Sequence, residues 1–379
     1  MSRIPRNPFM YGHPVEGAYF TDRDADIHKL LVAAKSKTHL FIISPRRYGK
    51  TSMLFEFQRR LNPKRYLSMY VDLYSTPSLE DLVSTYVTGI SKSETLFQRQ
   101  LSLAKELIQN IKPAVEIDEE GKPVLTVDFS RRNSGWDTLK QILDQPEKIA
   151  KKRGKHFVVI FDEFQEILKV GGAEIEKVMR SVLEKHKNVT YIFSGSKKDV
   201  LRNMVMSKTR PFYKMGEVYE LPPISDSDYE RFIVKKFRKF GVQIEHSAVS
   251  AILNLSSKIP NNVQYLSNKV WENRGRNRTI NSDNVKECFN LIIDEQNSTF
   301  YEIWELLSLG QRKLLLALVK YGGKNVYSGR FLQSSTLSLG SVQKWVQSLI
   351  EHDTIERTSD GVKIADPLFE AWVLRLSTH

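Results

Sequence analysis

The sequence predicts an α/β fold built on a parallel sheet, followed by a helical region and a C-terminal winged helix-turn-helix. Five short apolar runs, at residues 39–44, 66–74, 157–164, 189–196 and 217–221, are separated mostly by segments of helical period. That is the pattern of a sheet buried on both faces. After Leu221-Pro222-Pro223 the strand pattern stops, and apolar residues recur at helical spacing to about Asn297. From Ser308 onward the chain reads helix, turn, helix, then two short strands joined by Ser359-Asp360-Gly361, the order of a winged helix. Three parts are therefore expected: residues 1–221, 222–297 and 298–379.

The run HLFIIS ends in a polar turn, and an amphipathic pattern begins at Lys50. The turn, Ser44-Pro45-Arg46-Arg47-Tyr48-Gly49-Lys50-Thr51-Ser52, matches a phosphate-binding loop except that Ser44 stands where the first glycine is usual. Successive backbone N–H groups of such a loop wrap an anion, and the following helix adds its positive end. Gly49 permits close approach, Lys50 is expected to bridge the β- and γ-phosphates of ATP or ADP, and the Thr51 hydroxyl to ligate Mg²⁺. Taken alone, the turn also fits a plain strand-to-helix connection. A second motif supports the phosphate reading. The run FVVIFDEF ends in Asp162-Glu163, where Asp162 can hold the metal through water and Glu163 can polarise an attacking water.

A third strand, VTYIFSGS, brings Ser194 and Ser196 to the same sheet edge. Either serine can sense the γ-phosphate or position the water; Ser194 is the first candidate, and a Ser-Gly-Ser turn satisfying its own backbone is the alternative. Between the second and third runs the spacing predicts a helix opened by Ser78-Leu79-Glu80-Asp81, a hairpin around Glu120-Gly121, and a helix over 136–152.

The single cysteine, Cys288, excludes an intrachain disulfide, and no Cys/His cluster stands at metal-ligand spacing. The first residues lack the apolar stretch of a signal peptide, and no run approaches the roughly 20 apolar residues of a membrane span. A cytoplasmic protein with no membrane partner is expected. The net charge of +13 raises the question of nucleic acid, but from Tyr301 on 9 Lys and Arg face 8 Asp and Glu, so the excess lies upstream of the winged helix. Its recognition helix, residues 338–351, offers Ser341, Gln343, Lys344 and Gln347, with Trp345, Val346, Leu349 and Ile350 reading as core. A protein-contact role for this module is therefore expected over DNA binding.

Four stretches in order, NPFMYGHPVEGAYFTDRDADIHKL, ISPRRYGKTSML, VVIFDEFQEI and the segment from IFSGSKKDVLRNMV through TRPFYKMGEVYELPPISDSDYERFI, resemble the archaeal and bacterial ATPase family of STAND-type, AAA+-related P-loop proteins. The resemblance spans about residues 7–297 and implies an ATPase core, a helical lid and a winged helix. It implies that Phe20, Arg23 and Asp24 match an F-x-G-R-[ED] element near the adenine, with Asp22 in the glycine's place. It also implies that Pro260 sits over the nucleotide base, with Lys258-Ile259 where glycine is expected. The position of the family's arginine in S-P-L-Y-G-R holds Met215, and Arg210 or Lys214 is the available substitute. The implied activity is slow ATP hydrolysis by a nucleotide-dependent switch, regulated by a protein partner or by self-association. The alternative is an ATP-regulated DNA-binding protein resembling replication initiators.

Overall fold

All five apolar runs are strands of one parallel sheet in the computed structural model, which describes residues 7–21, 23–93, 112–117, 123–128, 135–275 and 278–377. Two compact units are formed, one of residues 14–223, the other of residues 224–379 joined by the first 13.

In the first unit, α1 (Asp24–Ser36) leads to β1 (Leu40–Ile43), α2 (Lys50–Arg60), β2 (Tyr66–Asp72) and α3 (Leu79–Ser93). The Ser78 hydroxyl caps α3 by accepting from Asp81 N at 3.1 Å. Strands β3 (Lys112–Ile117) and β4 (Pro123–Asp128) pair antiparallel as a hairpin; the turn at Glu120-Gly121 lies outside the described residues. The helix expected over 136–152 is two helices, α4 (Gly135–Leu143) and α5 (Gln145–Arg153). Pro146 causes the break, because it has no N–H to continue the ladder and is tolerated only in a first turn. Then follow β5 (His156–Asp162), α6 (Ile167–Leu183, interrupted at Gly171-Gly172), β6 (Val189–Gly195), α7 (Lys198–Met206) and β7 (Glu217–Glu220).

The strand order is β2-β5-β6-β1-β7. Strict alternation sends Phe41, Phe161 and Phe193 into a core on one face and Leu40, Ile42, Val158, Ile160 and Ile192 into a core on the other. A sheet covered on both sides presents polar chemistry only at its strand ends. The phosphate-loop candidate follows β1, the acid pair ends β5 and the serines end β6, so parallel pairing brings all three to one edge.

The second unit contains α8 (Asp226–Arg238), β8 (Gln243–Ile244), α9 (His246–Leu255), α10 (Pro260–Asn273), β9 (Thr279–Ile280) and α11 (Ser282–Glu295). It continues through α12 (Asn297–Glu305), α13 (Leu309–Tyr321), α14 (Gly329–Ser335), α15 (Leu339–Glu351), the antiparallel pair β10 (Ile355–Arg357) and β11 (Val362–Ile364), and α16 (Pro367–Leu376). The winged helix is present as expected, with Val342, Val346 and Leu349 of α15 buried and Trp345 and Ile350 packed against the same core.

Residues 222–297 and 298–379 pack on one core: Phe289 and Ile292 of α11 lie in it with Phe369 and Trp372 of α16, and Arg375 donates to Asp294 at 2.6 Å and Asn290 at 2.8 Å. The start of the chain also joins this unit. Phe9 is buried against Phe237, Tyr11 stacks on Tyr265 at 4.1 Å, and Asn268 donates to the Phe9 carbonyl at 2.8 Å. Periodicity does not encode which unit captures a short apolar segment. No helix of the described residues is long and apolar enough to cross a membrane.

Candidate nucleotide site

Gly49 holds φ +78° in the left-handed region at the N-cap of α2, where a side chain would be strained, so the chain turns sharply from β1 into the helix. Ser44 is buried, its N–H bonded to the Gly195 carbonyl at 3.3 Å and its hydroxyl turned to the Pro45 carbonyl at 3.0 Å. A small residue fits this place between β1 and β6. Arg46 and Arg47 are exposed, and Arg47 too has positive φ, at 65°. The Ser52 hydroxyl is engaged away from the loop, accepting from Val15 N at 3.0 Å.

At the centre is Asp162, 2% exposed at the end of β5. Oδ2 accepts from the Thr51 hydroxyl at 2.8 Å and the Tyr70 hydroxyl at 2.7 Å, while Oδ1 accepts from Ser194 at 2.7 Å and Glu163 N at 3.0 Å. Beside it, Glu163 Oε1 accepts from Lys50 Nζ at 2.9 Å, and Oε2 accepts from Ser196 and from Gln165 Nε2, both at 2.6 Å. Burial alone would raise the Glu163 carboxyl, but the Lys50 ammonium and the hydroxyl and amide donors outweigh it and hold the pKa down at about 2. Its backbone is left-handed at φ +51°, a conformation costing a non-glycine residue on the order of 1 kcal/mol.

The two serines thus serve different acids, Ser194 the aspartate and Ser196 the glutamate. Tyr70, Gln165 and Asp72 were not anticipated. Tyr70 and Asp72 lie on the polar face of β2, whose alternation is visible in the sequence, but only the pairing of β2 with β5 sets Asp72 opposite Asp162. Desolvation first, then a contribution from the neighbouring Asp162 and Glu163, raises the Asp72 carboxyl. Gln165 lies over Gly195, where any side chain would collide with its carboxamide.

Arg23 is buried beneath the loop. Its guanidinium donates to the Tyr48 carbonyl at 3.1 Å, to the Pro222 carbonyl and to Asp26, which also accepts from the Tyr219 hydroxyl. These bonds tie the loop to the chain that follows β7; Phe20 packs on the core of the adjoining face. Asp24 pairs with Arg60 of α2, and Asp22 lies outside the described residues. Pro260 opens α10 in the second unit, and Lys258 before it takes φ +56°, the conformation expected of the glycine it replaces. Met215 is buried in the sheet core, and Arg210 pairs with the fully buried Glu176.

Among the described residues, no group of three or more His, Cys, Asp or Glu side chains is arranged to hold a metal ion. Thr51 and Asp162 are instead one hydroxyl and one carboxylate. That donor set fits Mg²⁺, which keeps several waters and takes further ligands from substrate phosphates.

A family described as an ATPase domain predominantly from Archaea matches residues 20–266, and one described as a probable winged helix domain matches residues 298–375. Among solved structures the chain is similar to a Walker-type ATPase of Pyrococcus abyssi, at 15% identity and TM-score 0.65, covering 96% of this chain and 98% of that one. It is also similar to the Aeropyrum pernix ORC2 protein, at 14% identity and TM-score 0.54 with 94% of each chain covered. The ORC1 protein of the same organism, solved in complex with DNA, gives 14% identity and TM-score 0.51 over 95% of this chain and 93% of that one. At such identities the likeness is one of fold. No curated protein sequence matches the chain.

Proposed function

The chain belongs to the family of ATPase domains found predominantly in Archaea, and from that premise we propose that it binds ATP and hydrolyses it slowly, as a nucleotide-dependent switch. The observation that carries this reading is the convergence of Lys50, Thr51, Asp162, Glu163, Ser194 and Ser196 at one sheet edge through bonds of 2.6–2.9 Å. The N–H groups of the loop and the start of α2 receive the phosphates, and Lys50 leaves Glu163 for the β- and γ-oxygens. Thr51 and Asp162 would hold Mg²⁺, which when bound neutralises charge on those oxygens. Glu163, relieved of its ammonium partner, orients the attacking water, and Ser196 and Gln165 keep the carboxylate in place. Ser194 fixes the rotamer of Asp162. In this reading Arg23 is a positioning residue for the loop, and Phe20 lines the base.

Slow turnover follows from Met215 standing in the arginine's place, with the exposed Lys214 offering a point charge without the guanidinium's fork. An arginine supplied to phosphoryl transfer is worth roughly 10³–10⁵ in rate, yet Met215 is buried and Arg210 is committed to Glu176. A protein partner or a second copy of the chain would supply it, with the winged helix as a protein-contact module. Isothermal titration with ATP, together with phosphate release by Lys50→Ala and Glu163→Gln, tests the assignment. Unimpaired binding by the first or full turnover by the second would reject it.

A further inference from the structure

Residues 231–244 contain five cations, Arg231, Lys235, Lys236, Arg238 and Lys239, and no acid; residues 273–282 contain Arg274, Arg276 and Arg278 and again no acid. The fold brings these stretches together. The end of α8 leads into β8 and the end of α10 into β9, and the two strands pair in parallel, with Gln243 N donating to the Arg278 carbonyl at 2.7 Å. Aromatic rings fill the seam: Trp271 meets Phe237 at 5.6 Å and Phe240 at 5.1 Å, and the Arg274 guanidinium lies 3.7 Å over the Trp271 ring.

Within the cluster Arg231 is paired with Asp228, and elsewhere in this unit Lys258 is paired with Asp226, Lys269 with Glu295 and Lys286 with Asp283. By contrast Lys235, Arg238, Lys239 and Arg278 are exposed, and none is ion-paired with a described carboxylate. Burial chiefly, and secondarily the charges of Lys239 and Lys235, lower the Lys236 pKa to about 8. Attraction to a helix C-terminus accounts for a cation or two in a last turn. It does not account for a cluster that continues past the ends of both helices.

We propose that this end of the helical unit is a binding surface for the phosphodiester backbone of nucleic acid. Lys235, Arg238 and Lys239 stand at i, i+3 and i+4 on one helix face, so a single strand of phosphates can meet all three. The planar guanidinium groups of Arg238 and Arg278 match phosphate oxygens in pairs, while Arg274, stacked on Trp271 and donating to its carbonyl, braces the seam. Phe240 is the one large apolar side chain exposed in these stretches among the described residues, at 38%, which suits stacking by a base and is too little for insertion into lipid. Phosphate contacts carry no sequence information, so recognition here is independent of sequence. The winged helix is the poorer candidate, because α15 exposes a single cation, Lys344. This surface does not depend on the ATPase reading.

The test is fluorescence anisotropy of the full chain with mixed-sequence labelled duplex and single strand, between about 50 and 200 mM salt. Binding to at least one polymer is expected, with affinity falling steeply as salt rises. A fourfold variant, Lys235→Gln, Arg238→Gln, Lys239→Gln and Arg278→Gln, should weaken it at least about tenfold and flatten the log–log slope by roughly three. Its unfolding midpoint should not move, since all four side chains are exposed, and Lys235→Arg with Lys239→Arg should retain binding. Lys313→Gln, Arg330→Gln and Lys344→Gln in the winged helix should change affinity less than about threefold. The proposal is overturned if neither polymer binds at the lowest salt, if the fourfold variant keeps the wild-type slope, or if phosphatidylserine vesicles bind and both polymers do not.

Discussion

Lys50 Nζ lies 2.9 Å from Glu163 Oε1, so the two residues assigned to phosphate and to water form an ion pair with each other. Their variants should separate cleanly. Lys50→Ala removes a charged donor to the phosphates and should weaken ATP by about two orders of magnitude. Glu163→Gln should bind within about threefold of wild type, because the amide keeps the shape, and should lose at least about 100-fold in turnover. Titration calorimetry and single-turnover phosphate release measure the two effects.

Tyr70 donates to the same Asp162 oxygen as Thr51, at 2.7 Å. Tyr70→Phe leaves the ring and deletes this bond, so the carboxylate is less firmly oriented. Turnover should fall by about three- to tenfold and the Mg²⁺ concentration for half-maximal activity should rise, while ATP affinity changes little; loss of one bond to a charged group corresponds to roughly 1.5–3 kcal/mol at most. Metal titrations of the ATPase rate, wild type against variant, decide it.

Glu176 is fully buried and Arg210 is its cation. Burial first raises the Glu176 carboxyl and Arg210 lowers it, leaving it above the ordinary value. Arg210→Met strands the acid, and the chain should lose about 3 kcal/mol, the usual cost of breaking a buried pair. Glu176→Met combined with Arg210→Met should recover most of it. Urea denaturation of both variants provides the comparison, and equal losses would exclude the pair as the cause.

His39 and His156 lie at the opposite edge of the sheet from the loop, His39 Nδ1 accepting from Tyr191 N at 3.2 Å and His156 Nε2 meeting the Thr190 hydroxyl at 2.8 Å. Burial, reinforced by nearby positive groups, lowers both pKa values to about 4. Since the unfolded chain binds these protons first, stability should fall as pH drops from about 6.5 toward 4 and level off below. Each histidine contributes a slope of at most about 1.4 kcal/mol per pH unit. Urea midpoints across that range should slope less steeply in His39→Gln.

Trp372 donates to Asn297 at 2.8 Å and shares its core with α11. Deleting residues 298–379 should therefore lower the unfolding temperature of the helical unit and expose its apolar face to dye, while residues 14–223 keep their own transition. Calorimetry that found the helical unit's transition unchanged would show that α11 needs no cover.

The sequence by itself determined the element types, because periods of two and of 3.6 residues are local properties. It also determined the chemistry at each strand end: Gly49-Lys50-Thr51 after one apolar run, Asp162-Glu163 after another. Tertiary structure decided which strands are neighbours, and with that which side chains meet. Pairing of β2 with β5 spans some 80 residues of chain and is what delivers Tyr70 to Asp162. The same holds for Arg23, whose contacts with Tyr48 and Pro222 join stretches of chain far apart in sequence. Capture of Phe9 by the helical unit and the meeting of the ends of α8 and α10 are likewise long-range outcomes. Burial of apolar area is indifferent to sequence separation, so a linear pattern names the faces to be covered and leaves their partners to the fold.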